Sequence, residues 1–156
     1  MIPFLNLSAA DKEAALLAAE EASPYKLPAY IIEKDFWVTV TLKVLYKGLA
    51  PTFAELSKQP FIFKGGTSLS KCYQLINRMS EDIDLSFSLE LLQCEEVKLT
   101  DEAGRKALLT EALKIDSTAE AFIIDQLVDP LRERLQEFDS EITVTVESEA
   151  PLNIGI

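Results

Sequence analysis

Two short runs of the chain carry residue types that can do chemistry together: Gly65-Gly66-Thr67-Ser68 and Asp82-Ile83-Asp84. A glycine pair lets a ligand approach the backbone closely with its N–H groups free. If a helix starts at that turn, its positive end adds attraction for phosphate, and Thr67 and Ser68 supply hydroxyl donors at the same end. Asp82 and Asp84, two residues apart on a strand, would point the same way at a separation of about 7 Å. Such a pair can share a hard divalent cation through oxygen ligands, Mg2+ foremost and Mn2+ as its substitute. A phosphate cradle facing a metal site is the equipment of phosphoryl or nucleotidyl transfer, where positioning and charge neutralisation carry the reaction.

The elements that must position these residues follow from hydrophobic spacing. Phe61, Ile62 and Phe63 form a short β-type run that stops at the glycines. Leu69, Cys72, Tyr73 and Ile76 then recur at helical spacing, which predicts a helix with an apolar face packed on a sheet. Ile83, Leu85 and Phe87 alternate with Asp82, Asp84 and Ser86, predicting a strand over 82–87. Upstream, Ser8 is an N-cap for a helix over 8–22, and a longer, largely buried helix runs over 28–47 with Gly48 as its stop. A short helical piece over 53–57 precedes Pro60. Downstream, helices are expected over 101–114 and 118–138, the second bent or restarted at Pro130. Ile142, Val144 and Val146 alternate with Thr143, Thr145 and Glu147, giving a third strand over 142–147 with Glu147 on its polar face as a candidate third carboxylate. Trp37 and Cys72 read as core.

These residues resemble a known family. A glycine-glycine turn followed one helix later by two acids separated by one apolar residue is similar to the nucleotidyltransferase signature. More narrowly, KGGTSLSK joined to YQLI and RMSEDIDLSF resembles the AbiEii/AbiGii toxins of bacterial abortive-infection and toxin–antitoxin pairs. The segment Glu33-Lys34-Asp35-Phe36-Trp37-Val38-Thr39 resembles that family's N-terminal helix, so the likeness spans about residues 33–87. It implies an α+β fold, a nucleotidyltransferase-like small mixed sheet with helices packed mainly on one face. It also implies a magnesium-dependent enzyme that passes a nucleotide from a nucleoside triphosphate to an acceptor, tRNA among them, with a cognate antitoxin as partner. Asp82 and Asp84 would be catalytic and, with Glu147, metal-holding; Lys64, Gly65, Gly66, Thr67, Ser68, Lys71 and Arg78 would bind the nucleotide.

Length and composition frame this reading. One domain is expected over 1–156, with a helical part over 1–60, the glycine and acid core over 61–87, and helices with the third strand over 88–156. The chain closes on SEAPLNIGI, and the family's later lysine helix and further aspartate have no counterpart, so a C-terminally truncated domain is expected. The net charge of −11 argues against bulk attraction to nucleic acid. Residues 61–80 nevertheless hold Lys64, Lys71 and Arg78 and no acid, which suits a triphosphate with its metal; the acidic remainder is a solvated surface or a face for a basic partner. The N-terminus has no leader pattern and no run long enough to span a bilayer, and two cysteines with no histidine fit a reduced, cytoplasmic protein.

Each feature has a plainer reading. A glycine pair between strand and helix is often only a turn, paired acids on a strand often face solvent, and Lys64, Lys71, Arg78 and Glu147 are ordinary surface charges. Glu33, Lys34 and Asp35 belong to a helix surface that either faces solvent or flanks the site. Two other classes stay open: a glycosyltransferase using Asp-x-Asp to hold a sugar nucleotide, and a non-catalytic module that binds a nucleotide or an antitoxin. A P-loop ATPase is set aside because its glycine-lysine signature is absent.

Overall fold

The computed structural model describes residues 3–76, 80–95 and 104–156. The chain is α+β and divides into two compact units. One comprises Met1–Lys43 with Phe63–Asp84, and the other Val44–Ile62 with Leu85–Ile156.

The first unit begins with a 3-10 turn, Pro3–Asn6, followed by α1 (Ala9–Ala22) and α2 (Ala29–Lys43). Ser8 caps α1 as the sequence predicts: its Oγ accepts from the Asp11 N–H at 3.2 Å and donates to the Asp11 carboxylate at 2.6 Å. The Glu20 carboxylate in turn accepts the N–H of Ala29 at 2.8 Å, so α1 satisfies an otherwise orphaned donor at the start of α2. Phe4 and Phe36 meet edge to face at 4.8 Å, pinning the N-terminal turn to α2. Trp37, expected in the core, is only half-buried and lies edge-on to Phe36 at 5.4 Å.

Gly48 does not stop the long helix. After Lys43 the chain widens into a π turn, Val44–Leu49, and tightens into a 3-10 turn, Ala50–Phe53. Val44, Leu45 and Leu49 are buried, so the need to bury this face outweighs the glycine's helix-breaking tendency. The helical piece expected over 53–57 therefore falls earlier, where Pro51 sits in the first turn and needs no N–H partner.

Strand β1 (Phe61–Lys64) leads into α3 (Gly65–Lys71), and β2 (Asp84–Phe87) pairs with β1 in a two-stranded sheet. The division between the units runs through both strands. At the Phe61 and Phe87 ends they enter an aromatic core. Phe53–Phe61 and Phe61–Phe87 ring centroids lie 5.9 Å apart, Phe53–Phe122 and Phe87–Phe122 5.3 Å, all edge to face. The Ser88 N–H donates to the Pro60 carbonyl at 3.0 Å beside this cluster.

The expected helices over 101–114 and 118–138 form one helical run among the described residues: α4 (Arg105–Phe122), a π turn (Ile123–Leu127) and α5 (Val128–Gln136). The start placed at 101 lies outside the described residues. Pro130 cannot donate to the residue four back, and the ladder shifts just before it, with the Val128 N–H bonding five residues back to Ile123. Leu127, Leu131 and Leu135 carry its buried face.

The third strand differs in extent and partner. Gln136 donates to the Ile142 carbonyl at 2.9 Å and Arg132 to the Val144 carbonyl at 3.0 Å. These α5 side chains occupy acceptors that a ladder would use, so β3 begins only at Thr145 (Thr145–Glu147). It pairs antiparallel with β4 (Ala150–Gly155), a strand the sequence reading does not contain, rather than extending the β1–β2 sheet. The fold class stands, with the described strands in two small sheets instead of one.

Candidate functional site

The site is built in the first unit around the end of β1. Lys64 leaves the strand extended, and Gly65 adopts φ +73°, a left-handed conformation that side-chain-bearing residues reach only with strain. That turn swings the chain into α3 and brings Asp84 over it. A Cβ built on Gly65 would stand 1.8 Å from Asp84 Oδ2 and 2.7 Å from its Cγ. The carboxylate thus fills the space that a side chain at 65 would take. The two runs singled out in the sequence meet at this point.

Around that contact the expected residues fall into groups. Lys64, Gly65, Asp82 and Asp84 are exposed, Gly66 is half-exposed, and Thr67 and Ser68 are buried. Asp82 precedes β2 instead of forming its first residue, so the acids do not share a strand. Thr67 is wholly enclosed, and its Oγ1 has no hydrogen-bond partner among the described residues. A buried hydroxyl left without a partner is an uncommon, destabilising feature. Glu147 ends β3 in the second unit, exposed and within 3.4 Å of the Asn153 amide. Arg78 lies outside the described residues.

The helix after the glycines departs from expectation. α3 closes at Lys71, and Gln74 takes φ +53° shortly beyond. Leu69, Tyr73 and Leu75 are exposed, and so is Cys72. The apolar face read from spacing is therefore not packed on a sheet, and Cys72 is not core. The periodicity of three and four presumes a helix continuing to Ile76, and this one is only seven residues long.

Residues read as a helix surface connect to the site. Lys34 of α2 pairs with Glu81, next to Asp82, at 2.5 Å. Hydrogen bonding to Glu81 and then its negative charge raise the Lys34 ammonium above its ordinary value. The next residue, Asp35, pairs with Lys71 of α3 at 2.6 Å, and the Lys71 ammonium also donates to Thr39 Oγ1 at 3.1 Å. Lys71 is thus engaged by α2. The signal was present in Glu33-Lys34-Asp35-Phe36-Trp37-Val38-Thr39, where charges of both signs sit within one helical turn, but spacing alone does not name their partners.

A left-handed glycine turn lying under the Asp84 carboxylate thus leads directly into α3. Comparison with known families gives the assignment: residues 50–152, well over half of the chain, match the family described as nucleotidyl transferase AbiEii toxin, type IV toxin–antitoxin system. The chain belongs to this family of nucleotidyl transferase toxins. No curated protein and no solved structure matches it. Among the described residues no helix is long and apolar enough to cross a membrane.

Proposed function

We propose that the chain binds a nucleoside triphosphate with its phosphates over the Gly65-Gly66 turn, which the buried Thr67 and Ser68 support from beneath, and passes the nucleotide to an RNA acceptor, tRNA being the leading one. The observation that supports this reading is the Asp84 carboxylate resting on the glycine turn. A carboxylate and a triphosphate brought to one spot repel each other, and a divalent cation between them turns that repulsion into a shared site. The donor set fits a hard cation: Asp82 and Asp84 are exposed, close in sequence and offer only oxygen. Magnesium held there would supply charge neutralisation for the transferred phosphoryl group and for the departing pyrophosphate.

The chain's own residues do the rest. Gly65 and Gly66 let the phosphates approach the backbone without a side chain in the way. Lys64 supplies positive charge beside the glycine turn, and Lys71 fixes the far end of α3 through Asp35. Asp82 and Asp84 would hold the cation and, as hydrogen-bond acceptors, orient the attacking hydroxyl for in-line displacement of pyrophosphate. A cognate antitoxin enters the proposal as the partner that restrains the activity in the cytoplasm.

Incubating the chain with labelled nucleoside triphosphates, magnesium and total RNA tests the proposal. Transfer of label to RNA is expected, with Asp84→Asn at least a hundredfold slower and unchanged in secondary structure. Full turnover by Asp84→Asn would sink it. Metal-dependent nucleotide binding without transfer to any acceptor would instead identify a binding module.

A further inference from the structure

We propose that Lys34 and Asp35 are positioning residues, a two-pronged clamp through which α2 sets the spacing between the glycine turn and the acids. The inference rests on the nucleotidyl-transfer reading of that site. Consecutive residues of one helix reach the two segments that meet there. Lys34 holds Glu81, one residue before Asp82, at 2.5 Å, and Asp35 holds Lys71, the last residue of α3, at 2.6 Å. The second prong is reinforced within α2, because Thr39 lies one turn beyond Asp35, donates its hydroxyl to the Asp35 carbonyl at 2.9 Å and accepts from Lys71 at 3.1 Å.

Burial shows why a clamp is needed. From Leu69 to Glu90 no described residue is fully buried, and Leu69, Cys72, Tyr73 and Leu75 are exposed. Apolar packing therefore does little to place Asp82. Ion pairs at half-exposed positions contribute little to global stability, yet they fix geometry, and a displacement of about 1 Å at a reacting centre can cost roughly a hundredfold in rate. The opposite signs of residues 34 and 35 also enforce register, since exchanging their targets would bring Lys34 against Lys71 and Asp35 against Glu81.

The test is a charge-swap series with two readouts, nucleotide transfer and amide exchange over residues 80–87, on wild type, Lys34→Glu, Glu81→Lys and the double variant. Each single variant is expected to lose ten- to a hundredfold in kcat with nucleotide KM within about threefold, and to exchange faster over 80–87 while melting within a few degrees of wild type. The double variant should regain most of both. Asp35→Glu should retain activity that Asp35→Ala loses. Single variants that match wild type in kcat and exchange, or a double variant that restores neither, would overturn the clamp. A wild-type chain that transfers nothing would remove the proposed activity, and the exchange readout with its charge-swap rescue would still decide the clamp.

Discussion

At the scale of single residues, Gly65 is the most constrained position in the site. It combines φ +73° with a Cβ position lying 1.8 Å from Asp84 Oδ2. Gly65→Ala should therefore cost about 1–2 kcal/mol from backbone strain alone and should also push the Asp84 carboxylate off the turn. Thermal melting is expected to show the first effect, and a loss of metal-dependent nucleotide binding the second. Binding at wild-type strength in Gly65→Ala would show that the close approach has no functional meaning. These residues could be singled out in the sequence because a glycine turn and paired acids, each commonplace alone, stand together in the order strand, turn, helix, strand. Their contact could not, since residues 65 and 84 are brought together by strand pairing that no local period encodes. The orphaned Thr67 hydroxyl was likewise unreadable: a threonine after two glycines looks like an exposed donor, and only the packing shows it enclosed.

At the scale of elements, boundaries set by local chemistry were legible and those set by distant partners were not. Ser8 with Asp11 announced α1, and Phe61–Phe63 announced β1, because caps and β-rich runs act within a few residues. The π turns before Pro51 and Pro130 came as corrections, since hydrogen bonds reaching five residues back leave no distinct pattern in composition. The truncated β3 has the same origin, as Arg132 and Gln136 claim its first carbonyls from outside the segment. Leu135 lies wholly buried on α5, and Leu135→Ala should cost about 2–5 kcal/mol, measurable by denaturant unfolding. A loss under 1 kcal/mol would contradict its place in the core. The α2 pair gives a prediction with a definite sign. Lys34 is raised by Glu81 in the folded state, so its contribution is fully present below its ordinary value of 10.5 and disappears as pH rises through the raised folded value. Melting of Lys34→Met and wild type should therefore differ by the same small amount at pH 7 and pH 9 and converge only in strong alkali. Convergence between pH 7 and 9 would rule out this pair as the source.

At the scale of the whole molecule, charge and family fit together without strong attraction to RNA. A chain at −11 gains little from counterion release, so the RNA acceptor proposed above would have to be held by the proposed nucleotide site and by local positive residues such as Lys64. The family match over residues 50–152 covers β1, α3 and β2 and leaves α1 and α2 outside. The likeness read over Glu33–Thr39 lies outside the matched residues; what the structure shows there is the pairing of Lys34 with Glu81 and of Asp35 with Lys71. The central claim is that the glycine turn and the two acids form one metal-dependent nucleotide site. Calorimetric titration of the chain with each nucleoside triphosphate, with and without magnesium, beside Asp82→Asn/Asp84→Asn tests it most directly. The account predicts binding that requires magnesium and vanishes in the double variant; binding that persists in the double variant, or none by the folded wild-type chain, would contradict it.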